Sequence, residues 1–156
     1  MSEPSAEPFF GPTRRPLLDA LLDAVLPGDP ANGVPAAGAA GVAEHLEQVV
    51  AETPMIGLVL GNGLDAAAAR LAEQGQSDLA SSSADERDRF ARDTEAKDPG
   101  FFMTLVAYAY MGYYTRPEVL RALGLAGRAP QPEGYELEAG ELGALDKVRA
   151  RGQLYR

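Results

Sequence analysis

The sequence predicts an all-α domain built around one central, buried helix, and three observations support this fold class. Every strong apolar pattern repeats at helical spacing, and no stretch alternates apolar and polar residues as a half-buried strand would. The stretch from Phe101 to Tyr114 contains no charged side chain, which is typical of a helix that is buried on all sides. Asp98 and Pro99 provide an N-cap and a first helical residue, and Pro117 ends the helical pattern.

The chain of 156 residues is predicted to form one domain with an irregular extension at each end. We expect a flexible N-terminal arm over residues 1–12, a helical domain over residues 13–124 and an extended C-terminal tail over residues 125–156. Proline is frequent in the arm, and proline and glycine interrupt most of the tail. From Lys147 to Arg156 the tail carries basic residues and no acidic one, whereas the whole chain has a formal net charge of −9.

The first helix is predicted from about Arg14 to Leu26, with Thr13 as its N-cap and its leucines on one face. Arg14 and Arg15 precede a leucine-rich run, an order that also occurs in twin-arginine export signals. Because Asp19 and Asp23 interrupt the run, and a signal core is uncharged, we expect a folded helix instead.

Two further helices follow a loop that proline and glycine predict over residues 28–41. The second helix is predicted from near Ala39 to Glu52, and the third from about Pro54 to Gln74. Within the third helix, Gly57 and Gly61 are four residues apart and are expected to permit the close approach of a neighbouring helix.

A fourth helix, about Ala84 to Lys97, leads directly into the central one. Ser83 and Glu86 form a capping box at its start, in which each side chain bonds to the backbone N–H of the other residue. This helix is heavily charged, so we place it on the surface with Phe90 as its main apolar contact. After the central helix, Pro117 to Leu123 is predicted to form one or two further helical turns.

Composition excludes several classes of function. The acidic balance argues against a general nucleic-acid-binding protein, which needs a basic surface to neutralise phosphates. The absence of cysteine removes disulfides, iron–sulfur ligation and a cysteine nucleophile. No G-x-G-x-x-G motif follows a predicted strand, no Walker pattern is present, and no segment is predicted to span or insert into a membrane. We therefore predict no catalytic, cofactor-binding or metal-binding residues in this chain.

The remaining candidates for chemistry are a single histidine and a group of tyrosines. His45 could serve as a general base beside Glu44 or Glu47, but a lone histidine in an amphipathic pattern favours a structural role. Tyrosines of the central helix could line a ligand pocket, although packing with a bonded hydroxyl is the favoured interpretation. Tyr113 and Tyr114 are the expected exceptions, because they lie at the end of the helix.

Two stretches resemble the gluconate 2-dehydrogenase subunit 3 family. Residues 14–46, RRPLLDALLDAVLPGDPANGVPAAGAAGVAEHL, are similar to the opening of that family, in which a leucine-rich helix ends in a proline–acid turn before a small-residue loop. Residues 98–124, DPGFFMTLVAYAYMGYYTRPEVLRALG, are similar to its most characteristic segment, an apolar helix ending in Gly-Tyr-Tyr followed by a polar residue and proline.

The resemblance implies a small, helical, non-catalytic subunit of a flavin-dependent dehydrogenase acting on sugars or sugar acids. FAD is then expected in a large partner of the glucose–methanol–choline oxidoreductase type, and some such complexes add a cytochrome. Many small subunits of the family carry a twin-arginine signal. Since we expect Arg14 and Arg15 to lie in a folded helix, we predict a cytoplasmic complex, or a periplasmic one if the partner bears the signal.

We expect the arm, the end of the central helix and the tail to contact the partner, because tyrosine and arginine often dominate interface energetics. The tail could equally wrap its own domain. The alternatives in function are a small lyase or isomerase using a tyrosine and His45, and a helical adaptor without a redox role. The predicted partner-binding residues are Phe9, Phe10, Tyr113, Tyr114, Arg116, Tyr135, Arg149, Arg151, Leu154, Tyr155 and Arg156.

Overall fold

The computed structural model describes residues 8–125 and 145–152, which form an all-α structure. In chain order the elements are α1 (Gly11–Val25), a short 3₁₀ helix (Pro30–Asn32), α2 (Val42–Glu52), α3 (Pro54–Glu73), α4 (Ala84–Lys97), α5 (Pro99–Tyr113), α6 (Pro117–Ala122) and α7 (Asp146–Ala150). Within these described ranges no β-strand forms, and the predicted fold class is confirmed.

The central position predicted for α5 is also confirmed, because this helix packs against α1, α2, α3 and α4. Leu105 of α5 is fully buried, as are Leu21 of α1, Leu46 of α2 and Leu60 of α3. Burying each such side chain contributes roughly 1.5–3 kcal/mol to stability. The core therefore lies between the four surrounding helices and the inner face of α5.

The expectation that α5 is buried on all sides is wrong. Its inner face is buried, whereas Met103 is 69% exposed and Met111 is 59% exposed. Only one face of the helix contacts its neighbours, and the opposite face is apolar without being covered by the described residues. The inner face consists of Phe101, Phe102, Leu105, Ala109, Gly112 and Tyr113.

Helices α4 and α5 begin at the side-chain caps that the sequence predicts. Asp98 accepts from the backbone N–H of Phe101 at 3.0 Å at the start of α5. At the start of α4, Glu86 accepts from the backbone N–H of Ser83 at 2.8 Å, and the Ser83 hydroxyl accepts from that of Glu86 at 3.3 Å. Both predictions are confirmed.

Two helix starts differ from the prediction. Helix α1 begins at Gly11, with Phe10 at the N-cap position and no side-chain cap, so Thr13 lies inside the helix. Pro12 is tolerated in the first turn because its missing N–H would have no partner there. Helix α2 begins at Val42 and not near Ala39, because turns occupy residues 37–41.

Helices α3 and α5 approach each other at Gly63, which the sequence analysis did not single out. A Cβ atom added at Gly63 would lie 2.1 Å from Cγ and Cδ2 of Phe101. At Gly57 an added Cβ would lie 3.5 Å from Val50 of α2, which is ordinary van der Waals contact. At Gly61 the nearest atom is Cζ of the Phe9 ring, at 3.1 Å. The closest packing between helices therefore depends on Gly63.

The length and composition of α3 do not agree with the prediction that no segment could span a membrane. Among the described residues it is the one helix whose length and apolar composition would allow a crossing. In this structure it packs as a core helix against α1, α2 and α5. Its side chains at Leu60, Leu64 and Leu71 are buried in that core.

Replacing Gly63 with alanine tests the contact between α3 and α5. Alanine favours a helix over glycine by up to about 1 kcal/mol, but here the added methyl overlaps the Phe101 ring. We expect a net loss of about 1–3 kcal/mol in the free energy of unfolding, measured by urea denaturation.

The matched control is Gly100→Ala, also in a helix, where the nearest atom to an added Cβ is Oδ1 of Asp98 at 3.7 Å. This variant should be as stable as the native chain or slightly more stable. If Gly63→Ala behaved like Gly100→Ala, the two helices could not be in the close contact described.

Candidate functional site

Phe9 and Phe10, both predicted to bind a partner, differ in their exposure. The backbone N–H groups of Phe9 and Phe10 each donate to a carboxylate oxygen of Glu47 on α2, at 2.9 Å. Phe10 is 1% exposed and belongs to the core, whereas Phe9 is 39% exposed. Phe10 is therefore not available at the free surface, which corrects its assignment as a partner-binding residue.

Arg14 makes a bidentate ion pair with Asp65 of α3. Its Nε and one terminal nitrogen donate to the two carboxylate oxygens, both at 2.8 Å. These hydrogen bonds lower the pKa of Asp65. The guanidinium also lies 5.3 Å from the centroid of the Phe9 ring. Arg14 thus ties α1, α3 and the Phe9 ring together on one side of the domain.

Arg15 makes a second set of ion pairs. It donates to Asp19 one turn further along α1, and to Glu44 of α2 at 2.7 Å. The hydrogen bond from Arg15 lowers the pKa of Glu44. The two consecutive arginines are therefore both used within the folded domain.

Tyr113 and Arg116 hold the loop over residues 28–41 against the end of α5. The Tyr113 hydroxyl donates to the carbonyl of Pro35 at 2.6 Å, and Arg116 donates to the carbonyl of Gly41. Tyr113 is only 3% exposed, and this burial raises its pKa. Like Phe10, Tyr113 is thus removed from the surface expected to bind a partner. Arg116 is half-buried.

His45 lies on α2 with its ring against Gly112 of α5. A Cβ added at Gly112 would lie 2.6 Å from Cδ2 of this ring. The Nε2 atom is buried and has no hydrogen-bond partner among the described residues. Burial lowers the pKa of His45, and the positive charge of Arg116 lowers it further.

Glu44 and Glu47, the two carboxylates near His45 in the sequence, have other hydrogen-bond partners. Glu44 accepts from Arg15, and Glu47 accepts from the backbone N–H groups of Phe9 and Phe10. This arrangement holds the elements together and offers His45 no paired acid. In the described part of the chain, no three histidine or acidic side chains lie close enough to hold a metal ion.

The face of α5 opposite its inner face is exposed and apolar, and we call it the outer face. Its residues follow one another at i, i+4, i+7, i+8 and i+11, which places them on one side of the helix. Tyr110 and Tyr114 are each 44% exposed, and their ring centroids are 5.6 Å apart. The outer face consists of Met103, Ala107, Tyr110, Met111 and Tyr114.

The other predicted partner-binding residues are distributed as follows. Tyr114 is exposed, as predicted for a surface residue. Arg149 and Arg151 are exposed in and after α7, and Arg149 pairs with Asp146 at 3.4 Å. Whether any of them contacts a partner stays a prediction. Tyr135, Leu154, Tyr155 and Arg156 lie outside the described residues.

Comparison with known protein families shows the family of this chain. The family described as Gluconate 2-dehydrogenase subunit 3 matches residues 12–126. The chain belongs to this family. No curated protein and no solved structure matches the chain.

Membership of the gluconate 2-dehydrogenase subunit 3 family was anticipated from the sequence and is confirmed. The matched residues run from the second residue of α1 past the end of α6, and they include both the loop held by Tyr113 and the outer face of α5. The family name describes a subunit, which indicates an accessory component of a multi-subunit dehydrogenase.

The lowered pKa of His45 makes the stability of the domain depend on pH. The unfolded state binds a proton at the ordinary histidine pKa of about 6.5, and the folded state binds it only at lower pH. The free energy of unfolding is therefore at its full value above about pH 6.5, and it decreases as the pH falls below that value, because protons then bind preferentially to the unfolded state. We expect the melting temperature to fall between pH 7 and pH 5.5.

Because His45 is the only histidine, a His45→Gln variant should lose most of this fall. Differential scanning fluorimetry at closely spaced pH values would measure it, with Tyr114→Phe as a variant that leaves the titration intact. An unchanged slope in His45→Gln would show that His45 does not titrate differently in the folded and unfolded chains.

Proposed function

We propose that this chain is a non-catalytic accessory subunit of a flavin-dependent dehydrogenase that oxidises a sugar or sugar acid. The flavin, FAD, would be bound by a larger partner of the glucose–methanol–choline oxidoreductase type. The observation that carries this proposal is the family match over residues 12–126. The accessory role fits a domain whose ionisable side chains serve packing and tethering.

The geometry around His45 supports the absence of catalysis by this chain. A general base must reach the proton that it removes, and it works best when a second group orients it. The Nε2 atom of His45 is buried, and its ring packs against α5 at Gly112. This position suits a packed side chain better than a lyase or isomerase base.

We further propose that the complex assembles in the cytoplasm. Arg14 and Arg15 pair with Asp65 and Glu44 within the domain, and α1 contributes buried leucines to its core. These contacts support a permanent structural role for the two arginines. A periplasmic complex, carried by a signal-bearing partner, is the alternative, and fractionation of cells expressing the tagged chain distinguishes the two.

Co-expression tests the proposed function directly. The chain and a flavin-binding dehydrogenase of the glucose–methanol–choline type from the same organism should co-elute in size-exclusion chromatography, with a flavin absorbance band. Sugar or sugar-acid oxidation should be found in the same fractions. This chain alone should elute without flavin absorbance, because its G-x-G-x-x-A stretch, Gly61 to Ala66, lies inside helix α3 and not at a turn between a strand and a helix.

Controls separate the proposal from its alternatives. His45→Ala should leave turnover of the assembled complex within about twofold of the native value, whereas loss of a catalytic base costs about 10²–10⁴-fold. A large loss of turnover with normal assembly would support the enzyme alternative. A chain that stays separate from a fully active flavoprotein would support an adaptor without a redox role.

A further inference from the structure

The outer face of α5 lacks any charged side chain over the whole length of the helix. A helix that faces water on one side normally carries charged or polar residues there. Helix α4, which packs beside α5, follows this rule, because Asp85, Glu86, Arg89 and Glu95 are all exposed. The outer face of α5 is therefore unlike a solvent-facing helix surface.

The composition of the outer face is that of the centre of a protein interface. Methionine and aromatic residues are enriched there, and charged residues are depleted. Two methionines and two tyrosines project from this face, with exposures between 44% and 69%. They place on the order of 400 Å² of largely apolar side chain in water, a patch of the size that often has a function on a monomer.

A shallow groove extends the outer face towards α1 and α4. Val25, Phe102, Val106 and Tyr110 contribute apolar surface to it, while Asp88 and Arg92 form one wall. Arg92 donates to Asp88 at 2.9 Å, and the exposed carboxylate of Glu95 also lines the groove, so this wall is charged. The result is an apolar centre beside a polar rim, which is the usual anatomy of an interface.

We propose that the outer face of α5, with this groove at its edge, is the surface on which the catalytic subunit of the dehydrogenase docks. This inference rests on the proposed function, and it specifies an uncharged, apolar patch on the partner. A charged partner patch would lose its hydration against methionine and tyrosine without gaining an ion pair. Family membership as a subunit supplies the reason to expect a heterologous partner.

The exposed area of the outer face is smaller than that of a complete protein interface. A standard interface buries about 800 Å² on each partner, so the outer face provides roughly half of that area. Its lack of charged side chains suits the water-excluded centre of an interface, where binding energy concentrates.

Met103 and Met55 form a matched pair of test positions. Met103 is 69% exposed on the outer face of α5, and Met55 is 66% exposed on α3. Each is exposed on the surface of a helix, where glutamate is a good helix former. Met103→Glu and Met55→Glu should therefore fold equally well, as circular dichroism and thermal melting will show.

These variants are then compared in the complex of the full chain with a flavin-binding dehydrogenase of the glucose–methanol–choline type from the same organism. We expect Met103→Glu to raise the dissociation constant at least about tenfold, and Met55→Glu to leave it within about twofold. Equal binding by both variants would overturn the proposed docking face while leaving the proposed function intact. If the native chain itself fails to bind the flavoprotein, the proposed function fails, and the docking face with it.

Methionine oxidation provides a second test that needs no substitution. Dilute hydrogen peroxide converts exposed methionine to its sulfoxide, and mass spectrometry reports the rate at each position. In the complex, Met103 and Met111 should oxidise at least about fivefold more slowly than in the free chain, while Met55 should be unchanged. Equal rates in the complex and the free chain would overturn the proposal.

The same measurement identifies other occupants of the face. Protection of Met103 and Met111 in the isolated full chain, lost when the chain is cut after Leu125, would show that its own C-terminal segment covers them. Protection that increases with the concentration of the isolated chain, together with elution as a dimer, would show a second copy. Either result would overturn docking of the catalytic subunit.

Discussion

The contact of the inner face of α5 with α2 and α3 is the constraint on which the rest of the domain depends. It requires two glycines, because the Phe101 ring fills the space beside Gly63, and the His45 ring fills the space beside Gly112. Each glycine lets a ring approach a helix backbone more closely than a Cβ atom would allow. These contacts place α5 deep enough for α1 and α4 to pack against it as well.

The same constraint explains why α5 is apolar on both faces without being buried on both. Its inner face must be apolar because four helices cover it. Water alone would favour polar residues on the other face, as it does on α4. The outer face instead carries methionine and tyrosine, so some interaction outside the described residues accounts for it better than the fold does.

Local signals in the sequence predicted the fold well, and tertiary contacts explain what they missed. The caps at Ser83 and Asp98 are local hydrogen bonds, and both were predicted. The exposure of Met111 was not predicted, since no charged residue marks the boundary between the two faces of α5. The burial of Phe10 and Tyr113 depends on distant partners, including Glu47 and Pro35, which no periodicity reveals.

The two stretches that carried the family resemblance are joined in the structure. Tyr113 and Arg116, from the second stretch, bond to the carbonyls of Pro35 and Gly41 in the loop of the first stretch. A small-residue loop brings its backbone carbonyls close enough for these side chains to reach, since it has no bulky groups in the way. The two tyrosines of the Gly-Tyr-Tyr ending therefore have different roles. Tyr113 fixes the loop, and Tyr114 is exposed and continues the outer face. One short motif thus links the internal packing of the domain to the surface proposed for the dehydrogenase partner.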